Sequence, residues 1–145
     1  MTAQKVSVER IIKASAENIF DALADPSKHP VFDGSGTVQG HKGDQTRLAL
    51  GSKFGMSMKM GLPYWIRSTV REFEENKLIA WAHFGGHRWR YELESVEGGT
   101  LVRETFDWST SHLPKAIELA GYPTKHKPNM EATLQRLAEL VEDQA

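Results

Sequence analysis

The sequence contains no cysteine, which removes thiol nucleophiles, disulfides and cysteine-ligated metals together and suits a reducing cytoplasm. It also lacks a charge excess of either sign. Eighteen lysines and arginines stand against 19 aspartates and glutamates, for a formal net charge of -1, so no basic field exists to hold a nucleic-acid backbone and nucleic acid is not expected as a partner. Long apolar runs are missing too. The longest, Leu78 to Ala82, is far too short to span a bilayer, and the first ten residues, MTAQKVSVER, carry charge every few positions with no apolar stretch of a signal segment. Neither export nor membrane insertion is expected, and the expected location is cytoplasmic. There is no internal repeat, low-complexity segment or long linker, and 145 residues hold one domain, 1–145, with a sizeable core.

What is present is an ordered series of short elements. Val6, Val8 and Ile12 alternate with polar neighbours in a half-buried strand over 5–12. Ser15 caps a helix whose Ile19, Phe20 and Leu23 share a face, and Asp25-Pro26 stops it. A short helical or turn segment, SKHPVF, follows. Strands are expected near 37–41, 52–60, 64–73, 77–84, 87–96 and 100–109. The end of the chain reads as a helical piece over 112–120, a loop YPTKHKP, and a helix over 128–142 with Met130, Leu134, Leu137 and Val141 on one stripe. These elements predict an α+β domain: a curved antiparallel sheet of about seven strands wrapped around a long C-terminal helix, with two short helices after strand 1.

Two glycine pairs set the expected register. A two-residue turn at Gly85-Gly86 places Phe84 opposite His87, Ala82 opposite Trp89, Ala80 opposite Tyr91 and Leu78 opposite Leu93 on one face, with His83 and Arg88, and Trp81 and Arg90, on the other. A turn at Gly98-Gly99 pairs Glu94 with Arg103 and Arg90 with Asp107 on the outer face. Val102, Glu104, Phe106 and Trp108 then face inward with Leu93, Tyr91 and Trp89. The stretch FGMSMKM adds Phe54, Met56, Met58 and Met60 as a pliable apolar wall. The pattern suits a cavity for a planar or greasy ligand, lined also by Met130 and Leu134, and it suits a filled core equally. Trp81 on the outer face, near Arg90, would mark a cation–π contact or a homodimer or partner surface.

The order of elements and the stretches DALADPSKHPVFD, VREFEENKLIAW, HRWRYELE and GGTLVRETFDWS resemble the polyketide cyclase/dehydrase branch of the START-like, helix-grip superfamily, over nearly the whole chain. The resemblance implies a deep apolar cavity between the sheet and the last helix. Members of that superfamily include lipid carriers, hormone receptors, chaperone activators and aromatase/cyclases. It carries over no catalytic residues.

Among chemistry-bearing residues, Glu104 stands out as one acid on an apolar wall. Unpaired, it should have a raised pKa suited to moving protons on a carbonyl or enol substrate, with Tyr91 one diagonal step away. Paired, it would meet Arg10 or Arg67. The ion pair is the favoured reading, because an uncompensated buried charge is expensive. His87 is expected opposite Thr110, six residues from Glu104 and so roughly 20 Å away at about 3.3 Å per residue. The glycine turn sends His83 and His87 to opposite faces, which argues against a metal site. His126 reads as solvated. DGSGTVQGHKG lacks the lysine and hydroxyl of a phosphate loop and reads as turns. The leading expectation is binding of a small hydrophobic or polycyclic, lipid- or polyketide-like molecule, with no cofactor and no metal. The alternatives are a cyclase/dehydrase acting through Glu104 and Tyr91 without metal or nucleotide, and a chaperone-activator-like interaction module docking through Trp81.

Overall fold

The computed structural model describes residues 4–33, 38–42, 47–60, 62–82, 86–111, 115 and 122–142, and for 27, 38–42, 56–60, 62–66 and 122–125 the backbone only. Strand β1 (Lys5–Ile12) leads to helix α1 (Ala16–Leu23), a 3-10 turn (Pro26–Lys28) and a single-turn helix α2 (His29–Phe32). Then come β2 (Val38–Lys42), β3 (Lys53–Met60), β4 (Leu62–Glu74), β5 (Leu78–Ala82), β6 (Arg88–Val96), β7 (Gly99–Asp107) and the long helix α3 (Tyr122–Glu142). The seven strands form one antiparallel sheet in the order β1-β7-β6-β5-β4-β3-β2. The first strand therefore lies beside the last.

Local chemistry explains the elements near β1. The Ser15 hydroxyl accepts from the Asn18 N–H at 3.1 Å and caps α1, satisfying a donor that the first helical turn leaves open. Ile19, Phe20 and Leu23 are fully buried on the face that the sequence periodicity marks. In α3, Met130, Leu134, Leu137 and Val141 are buried as one stripe while Glu131, Gln135, Arg136 and Glu139 are exposed, and each buried side chain contributes roughly 1.5–3 kcal/mol. The helix starts earlier than expected. Residues 122–128, expected as a loop, are helical; Pro123 falls in the first turn, where the missing N–H has no helical partner to lose, and Pro128 is accommodated inside the helix. The helical piece expected over 112–120 falls outside the described residues, apart from Lys115.

The register departs from the sequence count in two places. At β5–β6, Ala82 pairs with Arg88, Trp81 with Trp89, Ala80 with Arg90, Ile79 with Tyr91 and Leu78 with Glu92, one residue off the expected pairing. The connection between Ala82 and Arg88 has an odd number of residues, so every β5 side chain lies on the face opposite to the expected one. Trp81 and Ile79 join the core; Ala80 and Ala82 do not, although both are buried. Ala80 and Ala82 lie under arginines on the outer face, so neither is part of the inner wall. Trp81, expected outside, is inside. At β6–β7 the turn is Glu97-Gly98, not Gly98-Gly99, which slides the pairing by two and preserves the faces. Gly99 belongs to the strand at φ 151°, and a β-carbon there would collide with the Ile12 carbonyl, so the close approach to β1 requires glycine.

A β-bulge in β4 between Val70 and Glu72 adjusts the facing again. Val70 opposes Trp81 and Phe73 opposes Ile79, and the residue inserted between them puts both apolar side chains on the same side.

Candidate functional site

The inner wall carries two aromatic groups on neighbouring strands. In the first, the His29 ring stacks on Trp81 at 4.7 Å between centroids, Phe54 meets Trp81 edge-on at 5.6 Å, and Tyr91 lies 5.5 Å from Trp81. His29 Nε2 donates to the Leu23 carbonyl at 2.9 Å. In the second group, Phe106 lies 4.7 Å from Trp89 and 5.7 Å from Trp108. His126 packs on Phe106 and Trp89 at 4.7 and 5.0 Å, and His87 reaches Phe106 at 5.3 Å.

His126 is therefore packed on the wall, contrary to its expected solvation. Burial, helped by the charge of His87, holds its pKa down to about 4, and burial lowers that of His87. His87 also lies nearer Glu104 than its strand position suggested, since its ring covers Phe106, two residues along β7. The pairing of His83 falls outside the described residues, as does Phe84. Met56, Met58 and Met60 lie in β3, but their side chains are outside the described set. Met130 and Leu134, from α3, are buried.

Between the two aromatic groups sits Glu104. Its neighbours across the strands are Val8 on β1 and Tyr91 on β6. Both Tyr91 and Glu104 are buried, and the Tyr91 hydroxyl donates to Glu104 Oε2 at 3.1 Å. The slide of the β6–β7 pairing turns the expected diagonal neighbour into a direct one. The other oxygen, Oε1, is buried and has no hydrogen-bond partner among the described residues. The expected ion pair is absent: Arg10 lies opposite Val102 and Arg10 and Arg67 are both exposed, and among the described residues neither bonds to Glu104. Arg10 shares the parity of Val8 and Ile12. Because β1 is the edge strand, its side chain turns out to water instead of crossing the sheet.

Burial is the main force raising the Glu104 carboxyl well above its ordinary pKa; the Tyr91 hydrogen bond opposes it and the charge of Asp33 adds to it. Tyr91 is raised for the same reasons, burial first and then the charges of Glu104 and Asp33. Asp33 follows α2 directly, and its backbone carbonyl accepts from Arg136 Nη1 at 2.8 Å, which ties the end of α2 to α3. Neither His29 nor Asp33 stands out in the sequence, and Trp81 was expected on the other face. His29 and Asp33 sit in SKHPVFD, a stretch without strong periodicity, and Trp81 was assigned by a parity that the loop length reversed.

The outer face of the same strands holds charge in paired form. Glu72 accepts from Arg88 at 2.8 Å and from Arg90 at 2.8 and 2.9 Å, and Arg90 continues to Asp107 at 3.1 Å. The Arg90 bond is the leading cause that holds the Glu72 carboxyl low. Burial works against the ionised Asp107, but donors from Ser109 and Arg90 prevail and hold its pKa low. The expected pairing of Arg90 with Asp107 is present, across a diagonal. Arg103 pairs with Glu9 at 3.1 Å, not with Glu94, because the pairing slide puts it opposite Glu92.

At the open edge of β1 a groove of about 340 Å³ runs between the strand and α3, lined by Ser7, Val8, Glu9, Arg10, Lys127, Glu131 and Leu134. One of its lining residues, Val8, is the cross-strand neighbour of Glu104. Among the described residues, no helix is long and apolar enough to cross a membrane, and no three His, Asp or Glu side chains cluster as metal ligands would.

Residues 3–142 match the model of the family described as polyketide cyclase/dehydrase and lipid transport. The protein Rv0088 of Mycobacterium tuberculosis is 40% identical over 141 residues, which cover 93% of this chain and 63% of that protein. The chain thus spans less than two thirds of that curated relative. Among solved structures, the AHSA1-like protein of Aeromonas hydrophila is similar at 26% identity with a TM-score of 0.65, covering 96% of this chain and 92% of that one. The protein NE0264 of Nitrosomonas europaea shares the fold at 15% identity with a TM-score of 0.77, covering 99% and 98%.

Proposed function

The chain belongs to the polyketide cyclase/dehydrase and lipid transport family, and from that premise we propose that it binds a small hydrophobic or polycyclic molecule, lipid-like or polyketide-like, between the inner face of the sheet and α3. One observation carries this. A wall of Phe54, Trp81, Trp89, Phe106 and Trp108 encloses a buried carboxyl, Glu104, with an oxygen that no described residue satisfies. A core closed for packing alone has no use for such a group, because an unmet buried acceptor or donor costs stability. Met130 and Leu134 supply the α3 side, and Met56, Met58, Met60 and Phe84 are proposed to extend the lining. Native mass spectrometry of the purified protein with organic extraction tests it: a bound apolar species should appear, and its recovery should fall in Phe106→Ala. A protein that emerges empty and takes up no apolar probe is not a carrier of this kind.

A second function is favoured by the Tyr91–Glu104 hydrogen bond itself. A protonated carboxyl beside a phenol, on a wall that orients a folded carbonyl chain, has the parts for cyclase/dehydrase chemistry: positioning together with a proton donor worth about 10²- to 10⁴-fold. Glu104→Gln should then lower turnover of a poly-carbonyl substrate while leaving its binding nearly intact. The interaction module that docks through an exposed Trp81 loses its basis, because Trp81 is stacked inside the core.

A further inference from the structure

The two oxygens of Glu104 are not equivalent. With the Tyr91 hydroxyl donating to Oε2 at 3.1 Å, the neutral acid holds its proton on Oε1, the oxygen outside that bond. Oε1 is the buried atom without a partner among the described residues. No arginine or lysine among the described residues bonds to Glu104, and the charge of Asp33 bears on it from the end of α2, so the neutral acid is the form this surrounding favours. An acid O–H that points at nothing in an apolar wall is a donor lacking its acceptor.

We propose that Glu104 Oε1 is the group that reads the ligand: it donates its proton in a hydrogen bond to the acceptor oxygen of an uncharged carbonyl compound, and it discriminates against carboxylates. This rests on the inner wall being a binding surface, and it adds the class of molecule bound there. An uncharged ketone or ester supplies the missing acceptor and brings no charge into the wall. A carboxylate would bring its charge beside Asp33 and the phenol of Tyr91 while giving up its own hydration. An amine would be held only if Glu104 ionised, against the burial that keeps it neutral. Glu104 is thereby a specificity-determining residue, and Tyr91 positions it by fixing which oxygen carries the proton.

Four probes on one scaffold test the idea through quenching of tryptophan fluorescence at pH 7: 2-acetylnaphthalene, 2-ethylnaphthalene, 2-naphthoate and 2-(aminomethyl)naphthalene. The acetyl compound should bind about tenfold tighter than the ethyl compound, as one buried hydrogen bond allows, and naphthoate more weakly than either. In Glu104→Leu the acetyl preference should vanish with ethylnaphthalene binding retained, whereas Glu104→Gln, which keeps an N–H donor, should retain part of it. Equal binding of acetyl and ethyl compounds to the unaltered protein, or a preference for naphthoate or the amine, overturns the proposal while leaving the binding surface standing. If ethylnaphthalene itself does not bind, the binding surface is wrong and the proposal falls with it. Should Glu104→Leu not fold, the infrared carbonyl stretch of a protonated carboxyl at pH 7 decides: it should be present in the unaltered protein and absent from Glu104→Gln, and its absence from both overturns the proposal.

Discussion

The sheet holds carboxyl groups on both faces of β4, β6 and β7, and the two faces treat them in opposite ways. Outside, Glu72 and Asp107 are threaded through Arg88 and Arg90, with distances of 2.8 to 3.1 Å, and each carboxyl has its pKa held low. Inside, Glu104 has one phenol, one unmet oxygen and no cation among the described residues, and its pKa is raised. The outer arrangement is complete without any other molecule. The inner one is incomplete, and that difference is what the proposed binding surface rests on. A group that only stabilises a fold is met by the fold; one left unmet in an apolar wall is costly unless a ligand or a proton transfer uses it.

The comparison depends first on β5 facing as described, and Trp81 is the residue that decides it. Trp81→Ala should cost about 3–5 kcal/mol in urea unfolding, as for a large aromatic deleted from a core. A cost below about 1 kcal/mol would mean that Trp81 faces water, that Ala80 and Ala82 line the wall, and that the first aromatic group does not exist.

The parity of β5 is also where legibility in the sequence ended. The faces of β6 and β7 could be read because Arg90 and Asp107 must share a side, and a one-residue slip would have separated them. Even a misplaced turn at 98–99 kept the parity, since it shifted the pairing by two. No comparable charge sits on LIAWA. Both alanines fit under arginines or over aromatics, and Trp81 is plausible on either face, so the register hung on counting the loop. Alternation and capping made β1, α1 and the stripe of α3 legible. Glu104 and Tyr91 were legible as a pair, but the fate of Arg10 was not, because it depends on β1 being an open edge beside a groove. His29 and Asp33 enter the site from a short segment whose placement is tertiary.

A second test weakens the outer face. Arg90 is the shared donor of Glu72 and Asp107, with its side chain 15% exposed. Arg90→Met should cost about 2–3 kcal/mol, since it removes the cation shared by two half-buried carboxylates and leaves Glu72 with Arg88 alone and Asp107 with the Ser109 donors. The same urea measurement on Arg103→Met, whose pair with Glu9 is exposed, should show less than about 1 kcal/mol. If the two variants cost the same, the outer network is no more than a set of solvated pairs and the contrast with Glu104 loses half its force.

The pH dependence separates the faces by sign. Glu72 is a carboxyl with a lowered folded pKa, so its contribution to stability is present above its ordinary range near 4.5 and is lost as pH falls through the folded value. Glu104 has a raised folded pKa, so its contribution is fully present below that range and is lost as pH rises from about 4.5 through the folded value. Glu72→Gln should therefore flatten the acid limb of the stability curve. Glu104→Gln should leave that limb alone and remove a decline that runs from about pH 4.5 toward neutral pH. Urea midpoints of the three proteins across pH 3 to 8 read this directly. A Glu104→Gln difference that does not change with pH would mean that the inner carboxyl titrates as an exposed one does; the wall around it would then be wet, and the two faces of β6 and β7 would differ in geometry but not in chemistry.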